Sequence, residues 1–211
     1  MSEFITPSKA KNRRGILVFH SWWGLTNSFR DFGQSLADQG FVVGLSDLFN
    51  GKTAHTEEDA RRLRSAPRRE PMYKSLLRDV IEVQDRTQSD APLGLVGFSM
   101  GGHWAVWLSQ RPNLPIASVV LYYAARGGAF SNSHASYLAH FAENDDWVSR
   151  TSRRTMERGI KAANRPYTSF DYPGTGHWFA ETSAKESYKP EAAQIALKRT
   201  VQHFKSTLSR K

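Results

Sequence analysis

The chain has 211 residues, 39% of them apolar and 23% charged, a formal net charge of +9 and no cysteine. That length suits one domain with a sizeable core, and the absence of thiols excludes disulfides, cysteine-bound zinc and a cysteine nucleophile. No stretch approaches the roughly 18 consecutive apolar residues of a membrane span, and MSEFITPSKAKNRR lacks the apolar run of a secretory leader, so a cytoplasmic protein with no membrane partner is expected.

Short apolar runs alternate with segments of helical period along the chain. Residues 1–14 read as an N-terminal extension and 15–211 as a single domain. Gly15 to Phe19 is the first predicted strand. A helix with Phe29, Phe32 and Leu36 on one side follows and stops at Gly40. Phe41 to Leu45 is the next strand. Thr56 and Asp59 resemble a capping box ahead of an arginine-rich helix. Pro67 and Pro71 are expected to break the chain. A longer amphipathic helix then carries Tyr73, Leu76, Leu77, Val80 and Val83 on one face. Leu93 to Phe98 is a strand, and Gly101 and Gly102 open the helix after it. Ser118 to Tyr123 and Ala135 to Phe141 are strands, and Met156 and Ile160 mark a helix. Tyr167 to Tyr172 is the last strand, and Leu197, Val201, Phe204 and Leu208 mark the closing helix. The alternation predicts an α/β protein, a mainly parallel sheet with helices on both faces. Such sheets bind ligands at the carboxyl ends of their strands.

Gly97-Phe98-Ser99-Met100-Gly101 fits G-x-S-x-G between a predicted strand and a predicted helix. In that context the spacing forms a nucleophile elbow, with small residues where strand and helix pass closely. A serine hydroxyl needs a base, and the base needs an orienting acid. On this architecture the acid and then the histidine follow the serine in the chain. His177 comes straight after the last strand, in a Gly-rich loop expected to be flexible. His103, His134, His140 and His203 lie on or beside predicted helices and strands instead. Asp145 and Asp146 both follow the strand ending at Phe141, and the residues alone do not separate them. The oxyanion hole needs two backbone N–H groups. Met100, next to the nucleophile, supplies one, and Trp22 in the loop after the first central strand is assigned the other. Trp23, Tyr123, Trp147 and Trp178 are candidate pocket walls. No His/Asp/Glu cluster has metal-ligand spacing and no phosphate-binding glycine fingerprint is present, so neither metal nor cofactor is expected.

Four segments together resemble one family. They are His20-Ser21-Trp22-Trp23-Gly24-Leu25, Gly97-Phe98-Ser99-Met100-Gly101-Gly102, Asp145-Asp146-Trp147-Val148 and Gly176-His177-Trp178-Phe179. Their order and spacing resemble the dienelactone hydrolases, a family of α/β-hydrolases, from Gly15 to the chain end. The resemblance implies an α/β-hydrolase fold without a large cap, a substrate that is a small ester or lactone, and Asp145 as the acid. Three positions depart from the family pattern. Ser99 stands where the founding members carry cysteine. Ser21 replaces a glutamate that often contacts the nucleophile. Glu181 stands where an arginine holds a substrate carboxylate, and it is expected to repel one. The short N-terminus leaves no room for the antiparallel hairpin that usually starts the sheet, so about six parallel strands, near the typical sheet size, are expected, and seven at most.

The leading functional reading is an esterase or lactonase that works through an acyl-enzyme. A second is a non-catalytic binding or regulatory protein on the same scaffold, which the full set of catalytic side chains argues against. A third is a thioesterase or peptidase on the same triad. The segment between Leu48 and Tyr73 is short for a peptidase cap, but its arginines could engage an acyl-CoA. The basic clusters Arg61, Arg62, Arg64, Arg68, Arg69 and Arg150, Arg153, Arg154, Arg158 carry no recognised nucleic-acid-binding pattern, so nucleic acid is not an expected partner.

Overall fold

A computed structural model describes residues 1–7, 14–65 and 69–208. Pro67, Arg68 and the last three residues, and so part of the basic clusters, lie outside the described residues. The strands are β1 (Glu3–Ile5), β2 (Arg14–Phe19), β3 (Phe41–Ser46), β4 (Leu93–Phe98), β5 (Ile116–Tyr122), β6 (Ser136–Asn144) and β7 (Tyr167–Gly176). The helices are α1 (Asn27–Ala37), α2 (Glu57–Ser65), α3 (Arg69–Thr87), α4 (Met100–Ser109), α5 (Arg150–Ala162) and α6 (Pro190–Thr207).

The strands form one sheet in the order β1-β3-β2-β4-β5-β6-β7. β2 to β7 are parallel, and β1 alone runs antiparallel, against β3. Side chains alternate between the two faces. Leu17 and Phe19 point into one core with Leu76, Val80 and Val83 of α3, Ala105 of α4, and Met156 and Ile160 of α5. Ile16 and Val18 point into the other, with Phe29 and Leu36 of α1 and Ala196 and Phe204 of α6. Coverage on both faces is why these strands read as continuous apolar runs. No large cap domain is present among the described residues, and no helix there is long and apolar enough to cross a membrane.

Four local expectations change. First, the six parallel strands are joined by a seventh, antiparallel one. The extension has no room for a hairpin, but Glu3, Phe4 and Ile5 pair singly with Leu45, Gly44 and Val43. Second, Pro71 does not break the chain. It sits in the first turn of α3, where backbone N–H groups lack helical partners in any case. Third, Leu77 leaves the buried face of α3 and is 38% exposed, while Leu76 is buried. Fourth, β7 runs beyond Tyr172 to Gly176, which pairs with Asn144 of β6 across a register shift. The segment before His177 is therefore part of the sheet.

The chain leaves β2 toward β3 and returns to place β4 on the other side of β2. This is a topological switch point, where a crevice opens at the carboxyl ends of neighbouring strands. The loop after β2 and the turn after β4 meet there.

Candidate active site

Ser99 is the single residue between β4 and α4, with φ +49° and ψ −113°. A non-glycine residue at positive φ is strained and is held only by its surroundings. Here a Cβ on Gly97 would lie 2.5 Å from the Gly102 Cα, and one on Gly101 would lie 2.2 Å from the Phe19 carbonyl oxygen. The glycines therefore allow α4 to start directly over β2 and β4, which aims Ser99 outward at the head of the helix.

The Asn144–Gly176 pair ends the β6–β7 ladder, so the next residues on the two strands, Asp145 and His177, face each other. His177 Nδ1 lies 2.9 Å from Asp145 Oδ1 and 3.0 Å from Oδ2. Its Nε2 lies 2.7 Å from Ser99 Oγ. With Nδ1–H donated to the carboxylate, Nε2 carries the lone pair that faces the serine. Asp145 also accepts the backbone N–H groups of Trp147 and Val148, at 2.9 and 3.0 Å. Those bonds fix the carboxylate, whose side chain is completely buried. Asp146 is exposed and makes none of these contacts. The three side chains singled out from sequence are thus brought together.

Met100 follows Ser99 as the first residue of α4, and its side chain packs against the cluster that holds Trp22, in the loop after β2. Among the described residues, no protein group accepts the backbone N–H of either. Both donors are available to a ligand oxygen, and Met100 adds the positive end of the α4 dipole.

Trp22, Trp23, Trp147 and Trp178 form one cluster. Trp22 stacks on Trp178 with ring centroids 5.7 Å apart, and Trp23 and Trp147 meet the same two rings edge-on or tilted. Trp178 and Trp147 lie 4.9 and 6.2 Å from the His177 ring. Trp147 is the most exposed of the four, and the Arg61 guanidinium sits 5.7 Å from the Trp22 and Trp147 rings. Tyr123 is not a pocket wall. It is fully buried, with its ring against His177 at 4.9 Å.

Two features were not foreseen. The small cavity beside Ser99, about 190 Å³, is lined by His103, Ala124, Ala125 and Arg126 among others. Arg126 Nη1 bonds His103 Nε2 at 2.8 Å, and among the described residues no carboxylate pairs with it. A larger cleft of about 1000 Å³ opens beyond Trp23 and Trp178, but none of the three side chains lines it. The chemistry therefore belongs to the smaller space. The second feature is Glu181. It neither faces solvent nor repels a ligand but is 0% exposed. Its oxygens accept from Ser21 Oγ at 2.7 Å and from the Tyr123 hydroxyl at 2.8 Å. Burial pushes its carboxyl up to about 7. The available signal was the paired departure itself: an acid lost at Ser21 and an acid gained at Glu181.

The dienelactone hydrolase family profile matches residues 2–208. Protein usf of Aquifex pyrophilus is 25% identical over 210 residues, which cover 92% of this chain and 89% of the relative. A relative from Aquifex aeolicus, named provisionally as a carboxymethylenebutenolidase, is 24% identical over 92% of this chain and 88% of its own. In fold, a dienelactone hydrolase-like promiscuous phosphotriesterase from metagenomic libraries superposes with a TM-score of 0.82 at 16% identity, covering 99% of this chain and 92% of that one. With an α/β-hydrolase sheet, a serine elbow at the switch point and a family match over nearly its whole length, the chain belongs to the dienelactone hydrolase family and is a hydrolase of ester bonds.

Proposed function

We propose that the protein is a serine carboxylesterase or lactonase that cleaves a small ester or lactone through Ser99, His177 and Asp145. The observation that carries this reading is the unbroken line Asp145–His177–Ser99, with short contacts throughout, ending beside two unused N–H donors. His177 Nε2 takes the proton of Ser99 as Oγ adds to the substrate carbonyl. The oxyanion is held by the Trp22 and Met100 N–H groups. Collapse breaks the carbonyl–alkoxide bond, and His177 returns the proton to the leaving oxygen. For a lactone that oxygen stays on the acyl chain. Water then gives its proton to His177, adds to the acyl carbon and releases the acid, and Ser99 regains its proton. Asp145 keeps the imidazole in the required tautomer and offsets its transient charge.

The name of the Aquifex aeolicus relative supports a lactone as one substrate type. The site itself favours a small acyl group that carries an anion. The cavity at Ser99 is small, and a half-buried guanidinium without an acid partner gains from an anionic ligand. The leaving group lies on the His177 side, against Trp147 and Trp178.

The test is hydrolysis of p-nitrophenyl esters from acetate to octanoate, with the adipate half-ester set against hexanoate. We expect turnover of short esters and preference for the charged member of the pair. Ser99→Ala should lose about four orders of magnitude or more. Retention of the rate in Ser99→Ala would overturn the reading. Turnover of acyl-CoA thioesters in place of oxygen esters would make the protein a thioesterase on the same residues.

A further inference from the structure

Among the described residues, Glu181 is the one acid that is fully buried beside the triad yet takes no part in the reaction as written. No lysine, arginine or histidine pairs with it among the described residues. Its polar contacts are the two hydroxyls alone. A lone buried carboxyl is a costly way to fill space. Its placement joins three segments. Ser21 immediately precedes Trp22 in the loop after β2. Tyr123 follows β5, itself at positive φ, and backs the His177 ring. Glu181 is four residues past His177, with its own N–H bonded to the Trp178 carbonyl.

Resting on the triad reading above, we propose that Glu181 is a positioning residue: by holding Ser21 and Tyr123 at once, its carboxylate fixes the Trp22 donor loop against the His177 imidazole. The ionised form is the one that makes this brace, because both hydroxyls donate to it. Burial, with Glu181 next to it, drives the Tyr123 phenol far up, so Tyr123 stays a donor. When Glu181 is protonated its own O–H must donate to one of the two. Where that one is Ser21, whose Oγ also receives the Trp23 N–H at 3.4 Å, its hydroxyl must turn its own hydrogen elsewhere, and the loop loses its donated tie to the carboxyl. The groups facing the carboxyl from the surrounding elements are Ser21, Tyr123 and, behind the Tyr123 ring, His177, with the Asp145 charge acting on Tyr123. Full activity therefore requires Glu181 to be ionised, and its protonation adds a step to the acid limb of the rate.

The experiment is the dependence of kcat/KM on pH for p-nitrophenyl butyrate, in the wild type and in Glu181→Gln, between about pH 5 and 9. Glutamine has the same shape, cannot ionise and must donate on one side, so it imitates the protonated acid. The variant's kcat should drop about 10–100-fold with KM little changed, the cost of a sub-ångström misplacement of catalytic groups. The wild-type acid limb should carry one further fall of that same size, so that the two profiles converge at low pH, and the variant's limb should lack it. Parallel acid limbs in the two proteins, or a kcat within about twofold, overturn the proposal even if the melting temperature falls, since a merely structural brace would do that. If Glu181→Gln is insoluble, Tyr123→Phe serves. It leaves the carboxylate with Ser21 alone and must move that further fall to higher pH, and an unmoved fall overturns the proposal. Ser99→Ala, run beside these, reads the triad separately, so failure of the brace and failure of the triad give different results.

Discussion

At the scale of single residues, the pair Asp145 and Asp146 shows how a neighbouring position acquires a role. Both are acids in one turn, and only Asp145 is buried, with two backbone donors and the imidazole on its oxygens. Asp145→Asn would keep an oxygen for the Trp147 and Val148 N–H groups but offer an amide donor to His177. The imidazole would then take the tautomer with its proton on Nε2, unable to accept from Ser99. We expect kcat to fall by about 10⁴-fold, with Asp146→Asn within about twofold of the wild type. The reverse pattern in p-nitrophenyl ester kinetics would move the acid to Asp146. Ser99 and His177 could be read from the sequence because each closes a strand with a distinctive glycine context. Arg126 could not, since nothing local distinguishes a cavity-facing charge from the exposed majority, and Glu181 showed only through its paired departure with Ser21.

At the scale of elements, the elbow is a problem of clearance. β2, β4 and α4 approach so closely that Gly97, Gly101 and Gly102 leave no room for a side chain. Gly101→Ala would drive a methyl into the Phe19 carbonyl, a backbone atom that cannot swing aside. We expect a loss of about 1–3 kcal/mol or more, visible as a lower midpoint in urea, together with reduced fluorophosphonate labelling of Ser99 as the turn shifts. An unchanged midpoint would mean that α4 can slide, and the steric account of the elbow would fail. The β6–β7 ladder is the second element device. Its last pair delivers Asp145 and His177 to each other. Proline and glycine at 173–176 suggested a flexible loop, but the segment bulges, with Gly174 at φ +68°, and rejoins the ladder where Gly176 pairs with Asn144, a tertiary effect that outweighs local propensity.

At the scale of the whole molecule, buried ionisable groups with opposite shifts set the dependence of stability on pH. Burial holds His20 down near 4 and His140 near 3. Both protonate near 6.5 once unfolded, so their contribution is complete above that pH and is lost as the pH falls toward the folded values. Glu181 is raised to about 7. Its contribution is complete below its unfolded value near 4.5 and is lost as the pH rises through about 7. Between these limits three lowered histidines, His203 with the other two, oppose Glu181. Stability should peak near pH 6.5–7 and fall on the acid side, where unfolding takes up protons. Glu181→Gln removes an opposing term and should steepen that fall by about one proton, about 1.4 kcal/mol per pH unit. Urea unfolding at several pH values checks both slopes, and a flat profile from pH 7 to 5 would refute the account.

The sequence by itself determined the alternation of strands and helices, the two-sided sheet, the serine turn between β4 and α4 and the family, because each is written in local spacing: apolar period, glycine position, chain order. It also foretold the capped start of α2, where Thr56 Oγ accepts the Asp59 N–H at 3.1 Å. Only the tertiary structure decided the rest. β1 is three residues of no distinctive pattern that become a strand because the edge of β3 offers them partners. Asp145 prevails over Asp146 because register, not composition, sets which carboxylate meets His177. Tyr123 and Glu181 exchange their expected places at the substrate for a shared buried one. Contacts between Ser21, Tyr123 and Glu181 span up to 160 positions along the chain, and separation on that scale leaves no periodic trace in a sequence for local reading to find.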